Sequence, residues 1–226
     1  MVDLSETDVM ETPTGTPRET SSLEMITARI TMGVAVGLSL FQLYTAGVTA
    51  LTALVQRSVH LGAILTLTFL LKPLVPGRSH GRWRILDWAL VGLSLYCTAY
   101  ICIHLTDIFD RQGDWLFQDR VVSIMGTLLV LEACRRVIGN VMAGICLGAM
   151  GYALFGPYMP ELIIHKGYSI ERITTTLWLT TEGIFGLPIG VAATFVFVFV
   201  LFGAILETTG GGAFFMDMAQ IGRAHV

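Results

Sequence analysis

Glu132, Arg135 and Arg136 stand at helical spacings of three and four inside a long apolar stretch. At that spacing a carboxylate and a guanidinium share one helix face, which lowers the cost of placing charge near a bilayer. The trio reads either as a relay or substrate contact, or as a structural ion pair. A second candidate is Thr180-Thr181-Glu182-Gly183-Ile184-Phe185-Gly186-Leu187-Pro188-Ile189-Gly190, where three glycines and a proline open an apolar run behind one carboxylate. Gly/Pro interruption of a membrane helix frees backbone groups that can coordinate an ion or a substrate, which makes Glu182, Gly186 and Pro188 candidates. The alternative is a kinked helix start. Glu207 is most simply a helix-end charge in water.

His60 and His104 would lie near one face if the runs carrying them are antiparallel, a geometry that could hold a haem from two sides. The plainer reading is a pair of interfacial imidazoles bonded to water or backbone. Cys97, Cys102, Cys134 and Cys146 show no paired metal spacing and sit in or beside apolar runs, so they read as small packing residues. No metal site or other resident cofactor is expected. The phosphate-cradling GxxxxGK[ST] loop, the HExxH pattern and the GxSxG elbow are all absent. ATP hydrolysis by this chain is thereby excluded, and an intramembrane hydrolase is disfavoured; no catalytic residue is assigned and the chain is not read as an enzyme. Gly33 with Gly37, Gly144 with Gly148, and Gly186 with Gly190 form small-xxx-small pairs suited to close helix packing.

These groups must be positioned by membrane helices. Of 226 residues, 54% are hydrophobic and 14% charged, with a mean hydropathy of +0.69, against roughly 25% charged in soluble domains. So much apolar surface cannot all be hidden inside a globule of this size and implies contact with lipid. The expected fold is an all-α polytopic membrane protein with about six transmembrane helices, in a range of five to seven. Residues 30–56 are uncharged and longer than the roughly 20 residues a span needs. Arg57 then reads as a tight connection to a second span, 58–71, extended by a snorkelling Lys72. A third runs from Trp88 to Thr106, with Trp83 and Trp88 as interfacial anchors. Between Val121 and Pro160 the preferred reading is two spans meeting at the arginines; the alternative is one interfacial helix and one span. Gly183 to Leu206 is the last clear span.

The first 24 residues carry six acids and one base, with Pro13, Pro17 and many Ser and Thr. Such a segment cannot bury enough surface to fold, so residues 1–29 are expected to form a disordered acidic tail. Without those first 24 residues the chain has a net charge of +2. No basic stripe is present, which excludes nucleic acid as a partner. The connection from Lys72 to Leu86 holds four bases and no acid, whereas Asp107 to Arg120 holds four acids and two arginines. The positive-inside rule puts the first in the cytoplasm and the second outside, with the amino terminus in the cytoplasm.

Leu131-Glu132-Ala133-Cys134-Arg135-Arg136-Val137-Ile138-Gly139, the Gly183 to Pro188 segment, and the run from Phe199 to Gly210 followed by Phe214-Phe215 resemble the fused permease of tripartite ATP-independent periplasmic (TRAP) transporters. More narrowly they resemble permeases that work with a TAXI-type solute receptor. The likeness runs from about Gln56 through Ala219. It implies a small-subunit-like four-helix membrane domain over 30–136 and the beginning of the large permease domain over 137–226. It also implies secondary active import of organic anions (carboxylates), coupled to sodium and dependent on a periplasmic receptor, in a bacterial or archaeal cytoplasmic (inner) membrane. In that family the large part continues into hairpins that hold sodium and substrate. The chain is therefore expected to be an amino-terminal fragment whose partners include the remainder of the permease. A non-transport membrane scaffold, or a haem protein using His60 and His104, is the alternative.

Overall fold

The computed structural model describes residues 22–74, 82–111 and 113–223, so most of the expected acidic tail and part of the basic connection lie outside the described residues. The described residues form helices α1 (Ser22–Gly47), α2 (Ala53–Leu71), α3 (Arg82–Ile103), α4 (Leu105–Asp110), α5 (Phe117–Val137), α6 (Asn140–Leu154), α7 (Ile170–Leu179), α8 (Leu187–Val191), α9 (Phe197–Thr208) and α10 (Gly211–Arg223), with no strand among them. A π turn over Ala192–Val196 joins α8 to α9, making one 22-residue rod. The protein is an all-α polytopic membrane protein.

Four of these helices are long and apolar enough to cross a membrane: Met25–Gly47 within α1, Ala53–Leu71, Arg84–Ile103 within α3, and the Leu187–Thr208 rod. The expected count of about six therefore rests on α5 and α6. Helix α5 has 21 residues with its charges gathered at its ends, Asp119 and Arg120 at one and Glu132, Arg135 and Arg136 at the other. At 1.5 Å per residue about 18 Å of helix separates the nearest charges of the two ends, Arg120 and Glu132, and about 26 Å the outermost, Asp119 and Arg136, against the roughly 30 Å of hydrocarbon. Helix α6 is apolar and shorter, at 15 residues. Gly139, at φ +119°, lets the chain turn sharply between them. Two helices thus meet beside the arginines.

Four spans differ in their bounds from the sequence expectation. The third, expected from Trp88 to Thr106, is helix α3 over Arg82–Ile103, so Asp87 lies inside it, and a break at His104 ends it. Helix α1 already runs from Ser22, inside the segment read as a tail, and ends at Gly47 rather than continuing to Gln56. Helix α2 begins at Ala53, so Arg57 is a residue of that helix and not a connection. The last span starts at Leu187, because Gly183 belongs to the turn before it. Gly210, at φ +76°, ends the rod and α10 follows.

Helix α2 is central, packing against α1, α3, α5 and α8. It pairs antiparallel with α3: Ser58 faces Cys102 at 3.9 Å, Gly62 faces Thr98, and Thr66 faces Ser94 at 3.4 Å. These are small residues at four-residue steps, so the two backbones approach closely. Two of the three glycine pairs singled out above behave otherwise. Among the described residues nothing lies within 4 Å of where a Cβ would sit at Gly33, Gly37, Gly144 or Gly148, whereas a Cβ on Gly62 would lie 2.1 Å from Thr98 Oγ1 and one on Gly190 2.8 Å from Arg57 Cζ. Gly62→Ala is accordingly expected to destabilise the bundle by about 1–3 kcal/mol through overpacking. Thr98→Ala in the same chain should recover part of that loss in a detergent-denaturation titration. The apolar core joins Leu54, Leu61, Leu65 and Phe69 of α2 to Cys97 and Ile101 of α3, Val122 and Leu129 of α5, Trp178 and Leu179 of α7, and Phe185.

Candidate functional site

The break between α7 and α8 is built by close backbone contact. Ser169 caps α7, its Oγ accepting the Arg172 N–H at 3.2 Å. After Leu179 the chain folds back so that Ile184 N–H donates to Leu177 O at 2.9 Å, and Gly186 N–H donates to Gly183 O at 3.0 Å. A Cβ on Gly183 would lie 2.4 Å from Leu177 Cα, so only glycine fits there. Gly186 is the N-cap of α8 and Pro188 sits in its first turn, where a missing N–H costs nothing. Glu182 is exposed, its backbone N–H bonded to Thr180 Oγ1 at 3.2 Å.

Arg57, which the sequence reading assigned to a connection, reaches this break from α2. Its Nη1 donates to Phe185 O at 2.7 Å and to Gly186 O at 3.2 Å. Its guanidinium lies against Gly190, where a Cβ would be 2.8 Å from Cζ. The signal in the sequence was one arginine between two uncharged runs, and only the fold supplies its partners.

The Glu132 trio forms a network with more members than its spacing showed. Glu132 Oε2 and Oε1 accept from Arg135 Nε and Nη2, both at 2.8 Å, and Oε1 also accepts from Arg136 Nε at 2.7 Å. Arg136 Nη1 donates to Asp87 Oδ1 at 2.6 Å and to Lys72 O at 2.9 Å, and its guanidinium lies 5.0 Å from the Phe69 ring centroid. The side chains of Arg136 and Asp87 are each only 2% exposed. Arg84 adds bonds to Leu70 O at 3.3 Å and Thr27 Oγ1 at 3.0 Å. One end of α1, α2, α3 and α5 is thereby tied together. Arg136 is a staple among helices, and Asp87 is the residue that sequence reasoning missed, since 49 positions separate the pair.

A second polar group ties the other end of α5. Asp119, fully buried, accepts from Tyr100 Oη at 2.6 Å and from the Leu116 N–H at 3.0 Å, with Arg111 Nη2 at 3.5 Å. Arg120 pairs with Glu171 at 2.9 Å, anchoring α7. Beside them opens a cleft of about 760 Å³, lined by Trp115 and by Arg172, Thr175, Thr176, Thr181 and Glu182 on the α7 side. The candidates therefore separate: Glu132, Arg135 and Arg136 lie at one end of α5, while Gly186 and Pro188 sit with Arg57 at the break and Glu182 on the cleft wall.

The histidines engage separate partners. His60 Nδ1 accepts from Gln42 Nε2 at 2.9 Å, with the Phe197 ring edge-on at 6.4 Å, whereas His104 pairs with Asp107 at 3.2 Å. All four cysteines are free, and Cys146 is exposed. Among the described residues no group of three or more His, Cys, Asp or Glu could hold a metal ion.

Residues 125–225 match the family described as tripartite ATP-independent periplasmic transporter, DctM component. The matched stretch runs from within α5 through the α7–α8 break and the rod. No curated protein and no solved structure matches the chain. The match, over 101 of the 226 residues, supports a TRAP transporter permease component.

Proposed function

We propose that the chain is a membrane permease component of a TRAP transporter, a secondary active carrier that imports organic anions (carboxylates) on a sodium gradient. The observation that carries this reading is the 125–225 match on a body of apolar helices. In this reading 30–136 is the small-subunit-like membrane domain and 137–226 the beginning of the large one, the remainder of the permease being a partner. A periplasmic receptor of the TAXI type delivers the solute, which the local likeness of Leu131–Gly139 and Gly183–Pro188 supports. Sodium is the coupling ion, and the membrane is a bacterial or archaeal inner membrane.

The reading makes two demands. Full-length permease in proteoliposomes should take up solute only when the receptor is supplied, and added ATP should change nothing; uptake at equal rate without receptor, or driven by ATP, rejects the mechanism. The bases between Lys72 and Leu86 should face the cytoplasm and the acids of Asp107 to Arg120 the outside. A reporter fused after Arg82 is then expected to show cytoplasmic activity and one after Asp114 external activity, and the reverse pattern defeats this topology.

A further inference from the structure

Arg57 lies near the start of α2, a helix otherwise long and apolar enough to span a membrane. A guanidinium in that setting persists only with partners that replace its hydration. Its partners are backbone oxygens. Phe185 precedes the N-cap Gly186, so its carbonyl lies outside the α8 hydrogen-bond ladder and needs another donor. Phe185 is itself fully buried, which makes an unpaired carbonyl there costly. Arg57 Nη1 supplies the donor and also reaches Gly186 O, which already accepts the Gly190 N–H at 3.1 Å and takes the guanidinium as a second donor. Gly190 makes the seat, since any side chain there would press on Arg57 Cζ, Nε and Nη2, all at 2.8 Å from an ideal Cβ. The open carbonyl of Phe185 and the side-chain-free seat at Gly190, five residues apart, thus converge on one cation.

We propose that Arg57 is a tethered cation that occupies the carbonyl pair of this break, fixing the start of α8 to α2 and excluding a diffusible sodium ion from that pair. Carbonyl oxygens freed at a broken membrane helix are ligands for hard cations. A guanidinium carried on the neighbouring helix reaches them without a second binding event, because it is tethered to the same chain. The break is therefore a fixed joint between the amino-terminal helices and the rod, and Arg57 is a positioning residue. The consequence for coupling, that sodium acts elsewhere, rests on the transporter reading; the joint itself does not.

Amide exchange measured by mass spectrometry on the full chain in nanodiscs tests the joint. Protection of peptides covering 183–191 should be the same in sodium chloride and choline chloride. Arg57→Ala should speed exchange there about tenfold or more, as expected when a charge-assisted hydrogen bond is lost from a local opening unit. Peptides over 91–101 should be unchanged, and Arg57→Lys should recover part of the protection. Gly190→Ala keeps the charge but displaces the guanidinium, so it should reproduce the effect even if Arg57→Ala does not fold. Sodium-dependent protection of 183–191 in the wild type, or unchanged exchange in Gly190→Ala, would overturn the proposal. Uptake is read separately. In the full-length permease Arg57→Lys should lower the maximal rate with the KM for loaded receptor unchanged. Altered exchange in a permease that never transports would sink the transport reading and leave the joint standing.

Discussion

Replacing Asp87 with alanine is expected to destabilise the helix bundle by about 3–5 kcal/mol, the cost of stranding a buried charge. Asp87 is the carboxylate that meets Arg136 Nη1 at 2.6 Å, and both side chains are almost completely hidden. Without Asp87, Arg136 keeps Glu132, Lys72 O and the Phe69 ring. Its Nη2, buried and without a hydrogen-bond partner among the described residues, would be joined by a weakened Nη1. The cost comes from the stranded cation, so removing both charges should cost far less. A double variant, Asp87→Leu with Arg136→Leu, should recover most of the lost stability in a denaturation titration. A loss as large as that of Asp87→Ala alone would show that the pair matters through shape and not through charge.

Trp178→Ala is expected to have a comparable effect, about 3–5 kcal/mol, because it empties the contact between α5 and α7. Trp178 is 1% exposed and lies against Gly126, where a Cβ would meet the indole at 2.2 Å, and its ring is 5.1 Å from that of Phe185. Its Nε1 is buried without a hydrogen-bond partner among the described residues, so packing carries the energy. Trp178→Phe should therefore be much milder than Trp178→Ala. Gly126→Ala attacks the same contact from the other side by overfilling it, at about 1–3 kcal/mol. The losses from Gly126→Ala and Trp178→Ala should not add, since with the indole gone the extra methyl has room. Additive losses would show that the two residues do not share one site. Because α7 leads directly into the break, each variant should also loosen residues 183–186.

The apolar runs made the helices legible, because hydrocarbon thickness sets a minimum length that charge-free stretches reveal. The same rule failed between α1 and α2. Residues 48–52 carry no charge and look no different from a helix by hydropathy, although they form a loop. With no marker there, the run was read through to Gln56, and Arg57 was displaced from helix to connection. The ion pair of Glu132 with its arginines was legible because helical spacing is local, whereas Asp87 and Arg136 meet only once α3 and α5 pack. Tight packing was misplaced for a related reason. GxxxG spacing marks glycines that share a helix face, but what faces that face is decided by the neighbouring helix: of the three pairs only Gly186 with Gly190 is closely approached, and Gly62 and Gly126, outside any pair, need room as well. At the break, Gly186 and Pro188 correctly marked where regular helix gives way, while the cation seated on it came from another helix.

If the proposed carrier moves solute on a sodium gradient, solute accumulation by the full-length permease in receptor-supplied proteoliposomes, with sodium outside and choline inside, should differ from that with equal sodium on both sides. Accumulation above the external concentration is expected in the first case and equilibration at most in the second. Accumulation that persists after the sodium gradient is collapsed would contradict that mechanism.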